Sequence, residues 1–263
     1  MKKETIEHWH RLEKIGNVGL DYVINPVLYP RLAEFLFSHP SSTVVDIGAG
    51  TNALALDLLC AAQKDVPGLK GIRNLRQVRA NVSRFIGFET AIENINRGRL
   101  DAKDAGCPNT ISMVQFLVKK KARLPLTDAT VALAVSRQFL MHLDTRTMDD
   151  HLIEISRILL DGGQYILSIL NPTYEQGKRR ETNPSAAPLI EDKKYEFAHG
   201  SKGELGEFTQ YWKSLKAYDK LFRHHFTLTK QISCVPITDV FKKTHARYYQ
   251  HAIPMAYVYV LTK

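Results

Sequence analysis

Cysteine is scarce in this 263-residue chain, with three residues, Cys60, Cys107 and Cys234. They lie far apart in sequence, with no metal-ligand spacing and no even-numbered disulfide framework. That excludes a disulfide-stapled secreted scaffold or a zinc module, and fits a reducing, cytoplasmic setting. Long apolar runs are also missing. No stretch approaches the ~20 residues that span a bilayer, so no membrane role is expected. The opening MKKETIEHWH has two lysines but no apolar segment behind them, so it does not read as a secretory leader. There is no P-loop, no nucleophile elbow and no CxxC pair. The histidines His224, His225, His245 and His251 are too scattered for a metal site.

What is present is a hydrophobic content of 44%, spread along the whole length, which suits one globular unit over residues 1–263. The net charge is +9 and the sequence pI about 9.4. Such a balance favours anionic partners in general. Two segments concentrate it, a possible helical stripe of Arg73, Arg76 and Arg79 and the run Lys119–Lys121. Neither is interleaved with aromatics as single-strand stacking platforms are. They read as solvated surface, not as a nucleic-acid interface.

Short, nearly continuous apolar runs alternate with helical patterns. Strands are expected at 43–47, 83–88, 111–117, 130–135 and 164–170, with two more near 226–234 and 255–262 forming an antiparallel hairpin at the sheet edge. Helices are expected over 5–14, over 26–38 with Asn25 as cap and Pro26 at the start, and over 148–160 with Thr147 as cap and Gly162-Gly163 as stop. The alternation predicts an α/β fold. Residues 171–206 read as a long loop and 207–224 as a helix around Phe208, Trp212, Leu215 and Leu221. Loops of that length are often lids. The expected cap therefore has two parts, an N-terminal one over 1–40 and a lid insertion over 171–220.

The segment VVDIGAGTNALALDLL, residues 44–59, carries the most chemistry. A β-branched strand reaches Asp46, then Gly48-Ala49-Gly50, then Asn52 and an amphipathic helix. Glycines let the backbone turn and approach a ligand, and the helix behind them offers unpaired N–H groups. The G-x-G-x-x-A pattern also occurs in nicotinamide-dinucleotide folds. Asp46 discriminates, because a carboxylate beside a pyrophosphate is repelled and one beside an ammonium is attracted. S-adenosylmethionine carries an ammonium and no phosphate.

These residues resemble the first motif of the class I S-adenosylmethionine-dependent methyltransferases. FIGFE at 85–89, LPLTDATVALAVS at 124–136, and His142-Leu143 through EISRILLDGGQYILSI at 154–169 resemble that superfamily's later segments in order. The resemblance implies a Rossmann-like, seven-stranded, mostly parallel sheet with an antiparallel C-terminal strand. It implies S-adenosylmethionine as cofactor, with Asp46, Gly48, Ala49, Gly50 and Asn52 around its methionine part, Glu89 on the ribose and Ser136 nearby. The sequence departs from the family pattern in three places. Roughly forty residues separate Asp46 from Glu89 against the ~20 of a minimal unit. No acid precedes the Leu124-Pro125 pair, and Ala132 stands where the fourth strand commonly has an acid.

Asn171-Pro172-Thr173-Tyr174 resembles the N-P-P-Y motif of methyltransferases acting on nucleobase amines, but follows the fifth strand instead of the fourth. It reads instead as part of a substrate site. Asn171, Tyr174, Gln138 and His142 are the expected catalytic or orienting groups, with His142 as possible general base. The expected function is methyl transfer to a small-molecule acceptor in small-molecule biosynthesis. The first alternative uses the aminocarboxypropyl chain of the cofactor, as azetidine-2-carboxylate synthases do when they release methylthioadenosine. The second is an RNA methyltransferase or RNA-binding protein. The oligomeric state is left open.

Overall fold

The computed structural model describes residues 18–60, 66, 68–69, 72–107, 109–174, 176–177, 185, 187–198, 207–235 and 254–263. Seven strands form one sheet: β1 (Ser42–Ile47), β2 (Val82–Glu89), β3 (Ile111–Gln115), β4 (Val131–Arg137), β5 (Leu159–Leu170), β8 (Thr227–Cys234) and β9 (Ala256–Thr262). Their order is β3-β2-β1-β4-β5-β9-β8. The pairs β1/β2, β1/β4, β2/β3 and β4/β5 are parallel, whereas β9 runs antiparallel to both its neighbours. The expected antiparallel edge pair is therefore present. The last strand is threaded inside, and β8 takes the edge. Val258 and Leu261 of β9 are wholly buried, while β8 is largely solvated, and that difference in apolar content sets which strand goes inward.

One face of the sheet is covered by α1 (Val18–Ser38), α2 (Ala53–Leu59), α3 (Leu75–Ala80) and α4 (Ile92–Asp104), and the other by α5 (Thr145–Ile158) and α6 (Leu215–His225). Helix α1, within the segment expected to form an N-terminal cap, packs on the sheet face against β5 and β9. The helix is continuous through Pro26 and Pro30, starting two turns before the expected N-terminus. Each proline deletes one N–H and crowds a carbonyl. Burial of Val23, Ile24, Leu28, Tyr29, Leu32 and Leu36 outweighs that cost. The helix expected over 5–14 lies outside the described residues.

Helix α5 also starts earlier than its apolar stripe suggested. Asp144, not Thr147, is the cap, and its carboxylate accepts the Thr147 N–H at 2.7 Å. The helix ends at Ile158 and β5 begins at once at Leu159. Gly162, at φ 78°, does not stop a helix. It lets β5 bulge, so that Val131 pairs with Leu159 but Leu133 with Gln164. Asp57, on α2, accepts the Tyr29 hydroxyl at 2.5 Å inside the core.

The insertion is more ordered than a loop. Lys194–Ala198 (β6) and Glu207–Tyr211 (β7) form a separate antiparallel ribbon, with Lys194 opposite Tyr211 and Glu196 opposite Thr209. The helix expected over 207–224 is thus a strand followed by a shorter helix, α6. EFTQY is rich in the β-favouring Phe, Thr and Tyr, and the Ser214 hydroxyl caps the helix by accepting the Ala217 N–H.

Candidate functional site

The loop from Gly48 to Asn52 leaves the carboxyl end of β1 between β2 and β4. Gly48, Gly50 and Asn52 all have positive φ, at 74°, 57° and 70°. Gly48 and Ala49 donate their N–H groups to the Phe88 carbonyl at 2.9 and 3.1 Å, which ties the loop to β2. A Cβ on Gly48 would stand 2.7 Å from the Phe139 ring. Gly87 lets the loop settle on β2, since a Cβ there would meet Met113 at 2.5 Å and Ala49 at 3.0 Å. Ala49, Ile95 and Met113 make a small buried apolar cluster beside it.

Glu89 ends β2 and braces this loop. One carboxylate oxygen accepts the Gly50 N–H at 2.9 Å, and the other accepts Thr90 and Ala91 N–H at 2.8 and 2.9 Å. Glu89 therefore caps the approach to α4 and holds the glycine turn together. Three of its roughly four acceptor sites are used in this way, which leaves room for one further donor.

Asp46 lies one strand across, 1% exposed. Among the described residues neither carboxylate oxygen has a hydrogen-bond partner, and both polar atoms of the Asn52 amide are likewise unpaired and buried. Burial weakens the acid and pushes its pKa up to about 7, against the pull of Arg137 and with the help of the Glu89 charge. Buried polar groups are normally satisfied. An unpaired carboxylate and amide beside a glycine turn, with one acceptor site left on Glu89, match a ligand that brings an ammonium and hydroxyl donors. Those are the polar groups of the methionine and ribose parts of S-adenosylmethionine.

The other expected residues divide. Gln138 follows β4 in the left-handed region, at φ 51°, its N–H held by the Ser168 carbonyl at 3.0 Å. His142 closes the short 3-10 turn Leu140–His142 and is half-buried. Arg137, whose charge reaches Asp46, precedes them as the last residue of β4. Ser136 points elsewhere. It is wholly buried, with its hydroxyl 2.7 Å from the Tyr165 hydroxyl, which also meets His151 at 3.4 Å. Ile47, Ala134 and Tyr165 belong to the α5-side core, so alternation along the strands puts Ser136 on the face opposite Asp46. Burial lowers the His151 pKa to about 4, so the imidazole stays neutral there.

Asn171 is committed to the scaffold. Its amide nitrogen donates to the Pro254 carbonyl at 2.6 Å and its oxygen accepts the Thr173 N–H at 3.0 Å, clamping the end of β5 to the start of β9. Tyr174 packs in the core cluster beneath α1, 8% exposed. Both sit at the strand end where a substrate role was expected, but local turn bonding and core packing use them first.

Lys213 gave no sequence signal, because an isolated lysine is ordinarily a surface residue. Here it is 1% exposed, and its ammonium donates to the Leu143 carbonyl at 2.6 Å and pairs with Asp192 at 3.3 Å. Asp192 also accepts the Thr145 N–H at 2.8 Å. These bonds pin the β6–β7 ribbon to the start of α5, just after the 3-10 turn. Lys213→Met should leave the Leu143 carbonyl without its donor, a loss of about 1–3 kcal/mol. Amide hydrogen exchange over 207–211 should then quicken about 10-fold or more. Unchanged exchange would show that the ribbon is held by something else.

The basic stripe does not exist as one face. Arg73 and Arg76 are exposed, but the Arg79 guanidinium turns inward to the Leu58 and Cys60 carbonyls at 2.8 and 3.1 Å. Among the described residues no group of three or more His, Cys, Asp or Glu could hold a metal ion, and no helix is long and apolar enough to cross a membrane.

The family profile described as a methyltransferase domain matches residues 67–167. No curated protein matches the chain. Among solved structures, a S-adenosylmethionine-dependent methyltransferase from Methanosarcina mazei has a TM-score of 0.63 at 17% identity, over 90% of this chain and 98% of that one. A S-adenosylmethionine-dependent methyltransferase from Listeria monocytogenes has a TM-score of 0.61 at 15% identity, over 100% and 99%. Geranyl diphosphate C-methyltransferase from Streptomyces coelicolor A3(2) has a TM-score of 0.55 at 16% identity, over 89% and 79%. At these identities the solved structures speak for the fold, and the family profile for the kind of domain. Residues 67–167 thus match a methyltransferase domain, and the chain as a whole shares the fold of S-adenosylmethionine-dependent methyltransferases.

Proposed function

We propose that this enzyme transfers the methyl group of S-adenosylmethionine to a small-molecule acceptor in the cytoplasm. The observation that carries the reading is the unpaired carboxylate of Asp46, buried beside the glycine turn. In this reading Asp46 meets the cofactor ammonium and Asn52 the same methionine end. Glu89 uses its remaining acceptor site for a ribose hydroxyl, and Gly48, Ala49 and Gly50 supply the close backbone surface. The bound cofactor supplies a methyl carbon made electrophilic by its sulfonium. The chain's task is then mainly to align the acceptor. Gln138 and His142, at the end of β4, are the groups assigned to it, His142 as proton acceptor. Arg137 joins them as the nearby cation.

The Asp46 charge favours methyl transfer over self-cyclisation. Cyclisation needs the cofactor's amine as a free base, since a protonated amine has no lone pair to attack with. A buried carboxylate beside that amine holds the proton on. A small acceptor is supported by the anchored ribbon after β5. A nucleic-acid substrate is disfavoured because the Arg79 guanidinium, one of the three stripe arginines, is spent inside the fold.

The test is product analysis. Purified protein incubated with S-adenosylmethionine alone should form no nucleoside product. A panel of small amines, phenols and carboxylic acids should yield S-adenosylhomocysteine with at least one member. Methylthioadenosine accumulating without an acceptor would overturn the reading in favour of the aminocarboxypropyl chemistry.

A further inference from the structure

Two of the three cysteines, 47 positions apart in sequence, meet in the fold. The Sγ atoms of Cys60 and Cys107 are 2.8 Å apart, and both residues are free thiols. We propose that Cys60 and Cys107 form an oxidative modification site, closing to a reversible intramolecular disulfide under hydrogen peroxide.

The approach is not an accident of loose chain, because both backbones are pinned. Cys60 caps α2, donating its N–H to the Leu56 carbonyl at 2.9 Å, while its own carbonyl accepts from Arg79. Cys107 donates to the Ala102 carbonyl at 2.9 Å and accepts from Thr110 and Ile111 at 3.3 and 3.2 Å. A disulfide bond is about 2.05 Å long, so closure asks for under roughly 1 Å of sulfur movement.

Exposure orders the steps. Cys60 is buried, and burial together with the Cys107 contact pushes its thiol up to about 12, so it is not the first nucleophile. Cys107 is half-exposed. Its sulfur attacks the peroxide, the O–O bond breaks, and a sulfenic acid and one water form. The Cys60 sulfur then displaces the sulfenic hydroxyl. The S–O bond breaks as the S–S bond forms, and the Cys60 proton leaves with the hydroxide as a second water. Two thiols are oxidised by two electrons and one peroxide is reduced. A dithiol reductant reverses the bond by exchange.

The site lies at the end of the sheet away from the glycine turn. Helix α2 runs from the carboxyl end of β1 back to Cys60, and Cys107 precedes the amino end of β3. The bond therefore braces α2 to the approach of β3 without touching the cofactor loop. It acts on stability, not on cofactor binding, and stands whether or not the acceptor assignment above does.

The test uses the full chain, reduced and then treated with stoichiometric hydrogen peroxide. The expected result is the loss of two hydrogen masses, a Cys60–Cys107 linked peptide, and a Tm higher by roughly 5–10 °C that a dithiol reverses. S-adenosylhomocysteine affinity should stay within about twofold. Cys107→Ser should abolish the linkage and Cys234→Ser should leave it intact, since buried Cys234 has no thiol neighbour among the described residues. Oxygen added at Cys107 without linkage, linkage through Cys234, or an unchanged mass would each overturn the proposal.

Discussion

Asp46→Asn should weaken binding of S-adenosylmethionine by about 100-fold or more and yet raise the stability of the ligand-free protein. The two effects share one cause. Asp46 is buried with neither oxygen hydrogen-bonded, and its pKa stands at about 7 against an ordinary 3.8. In the unfolded chain the group ionises near its ordinary value. In the folded, ligand-free chain it resists ionisation until near neutrality. A raised carboxylate pKa means that stability is greatest below the unfolded value, falls as pH climbs from about 4 to 7, and stays reduced above. The whole cost is on the order of 4 kcal/mol at pH 8. Asparagine has nearly the same shape and no charge to desolvate. It should recover much of that cost, seen as a Tm higher by several degrees.

The same carboxylate, once opposite an ammonium, becomes half of an ion pair. Losing one partner of a buried pair costs about 3–5 kcal/mol, which is the basis for the 100-fold figure. The pH dependence follows. Below about 7 the acid must release its proton before it can pair, so cofactor affinity should fall as pH drops, approaching tenfold per unit. Above roughly 7.7–8.0 an α-amino group itself loses charge. Affinity should therefore peak in the narrow window between, and the Asn variant should lose the acid limb. Calorimetry across pH 5.5–9 on both proteins measures this. A variant that binds as tightly as wild type, or wild-type affinity that is flat from pH 5.5 to 7, would remove Asp46 from the ammonium site.

The parts of the site legible in the sequence are those whose chemistry demands particular residue types within one short stretch. Asp46, Gly48 and Gly50 sit on five consecutive residues, and a glycine turn after a β-branched strand has few other uses. Glu89 was legible because a strand end is a fixed place. Its bracing of Gly50 was not, because that bond spans 39 positions. The five parallel strands were readable because they are short runs that are apolar for most of their length. The β6–β7 ribbon was not, since its short strands carry lysine and glutamate among their apolar residues. Ser136 shows a different limit. Its position at the end of β4 was correct, but which face it takes depends on strand register, and Tyr165 claims its hydroxyl. Asn171 reaches a partner 83 positions away, and Lys213 one 70 away. The thiol pair likewise comes together only because α2 packs beside α4, whose end leads into Cys107. Pairings of that kind have no local signature.

Gly48→Val should abolish measurable cofactor binding and also cost the fold stability, and the reasons are separable. The first is backbone. Gly48 sits at φ 74°, where a β-branched residue is a steric outlier costing on the order of 1–3 kcal/mol. The second is space. A Cβ at this place would lie 2.7 Å from one Phe139 ring carbon and 3.1 Å from another, before either valine methyl is counted. Phe139 is itself packed edge-on to His151 at 5.8 Å, so the ring cannot retreat freely into the α5-side core. Overpacking of this sort costs about 1–3 kcal/mol more. The chain's cheapest escape is to move the loop off β2, breaking the Gly48 and Ala49 bonds to the Phe88 carbonyl and withdrawing Gly50 from Glu89. Gly48→Ala meets the same φ with less volume and should bind weakly, at an intermediate Tm. Phe139→Ala in the Gly48→Ala background should return part of the binding, because it removes the overlap and leaves only the backbone term. Titration with S-adenosylhomocysteine and thermal melts of the three variants provide the readout. A Gly48→Val protein that holds wild-type affinity within threefold would mean that the cofactor does not depend on this turn.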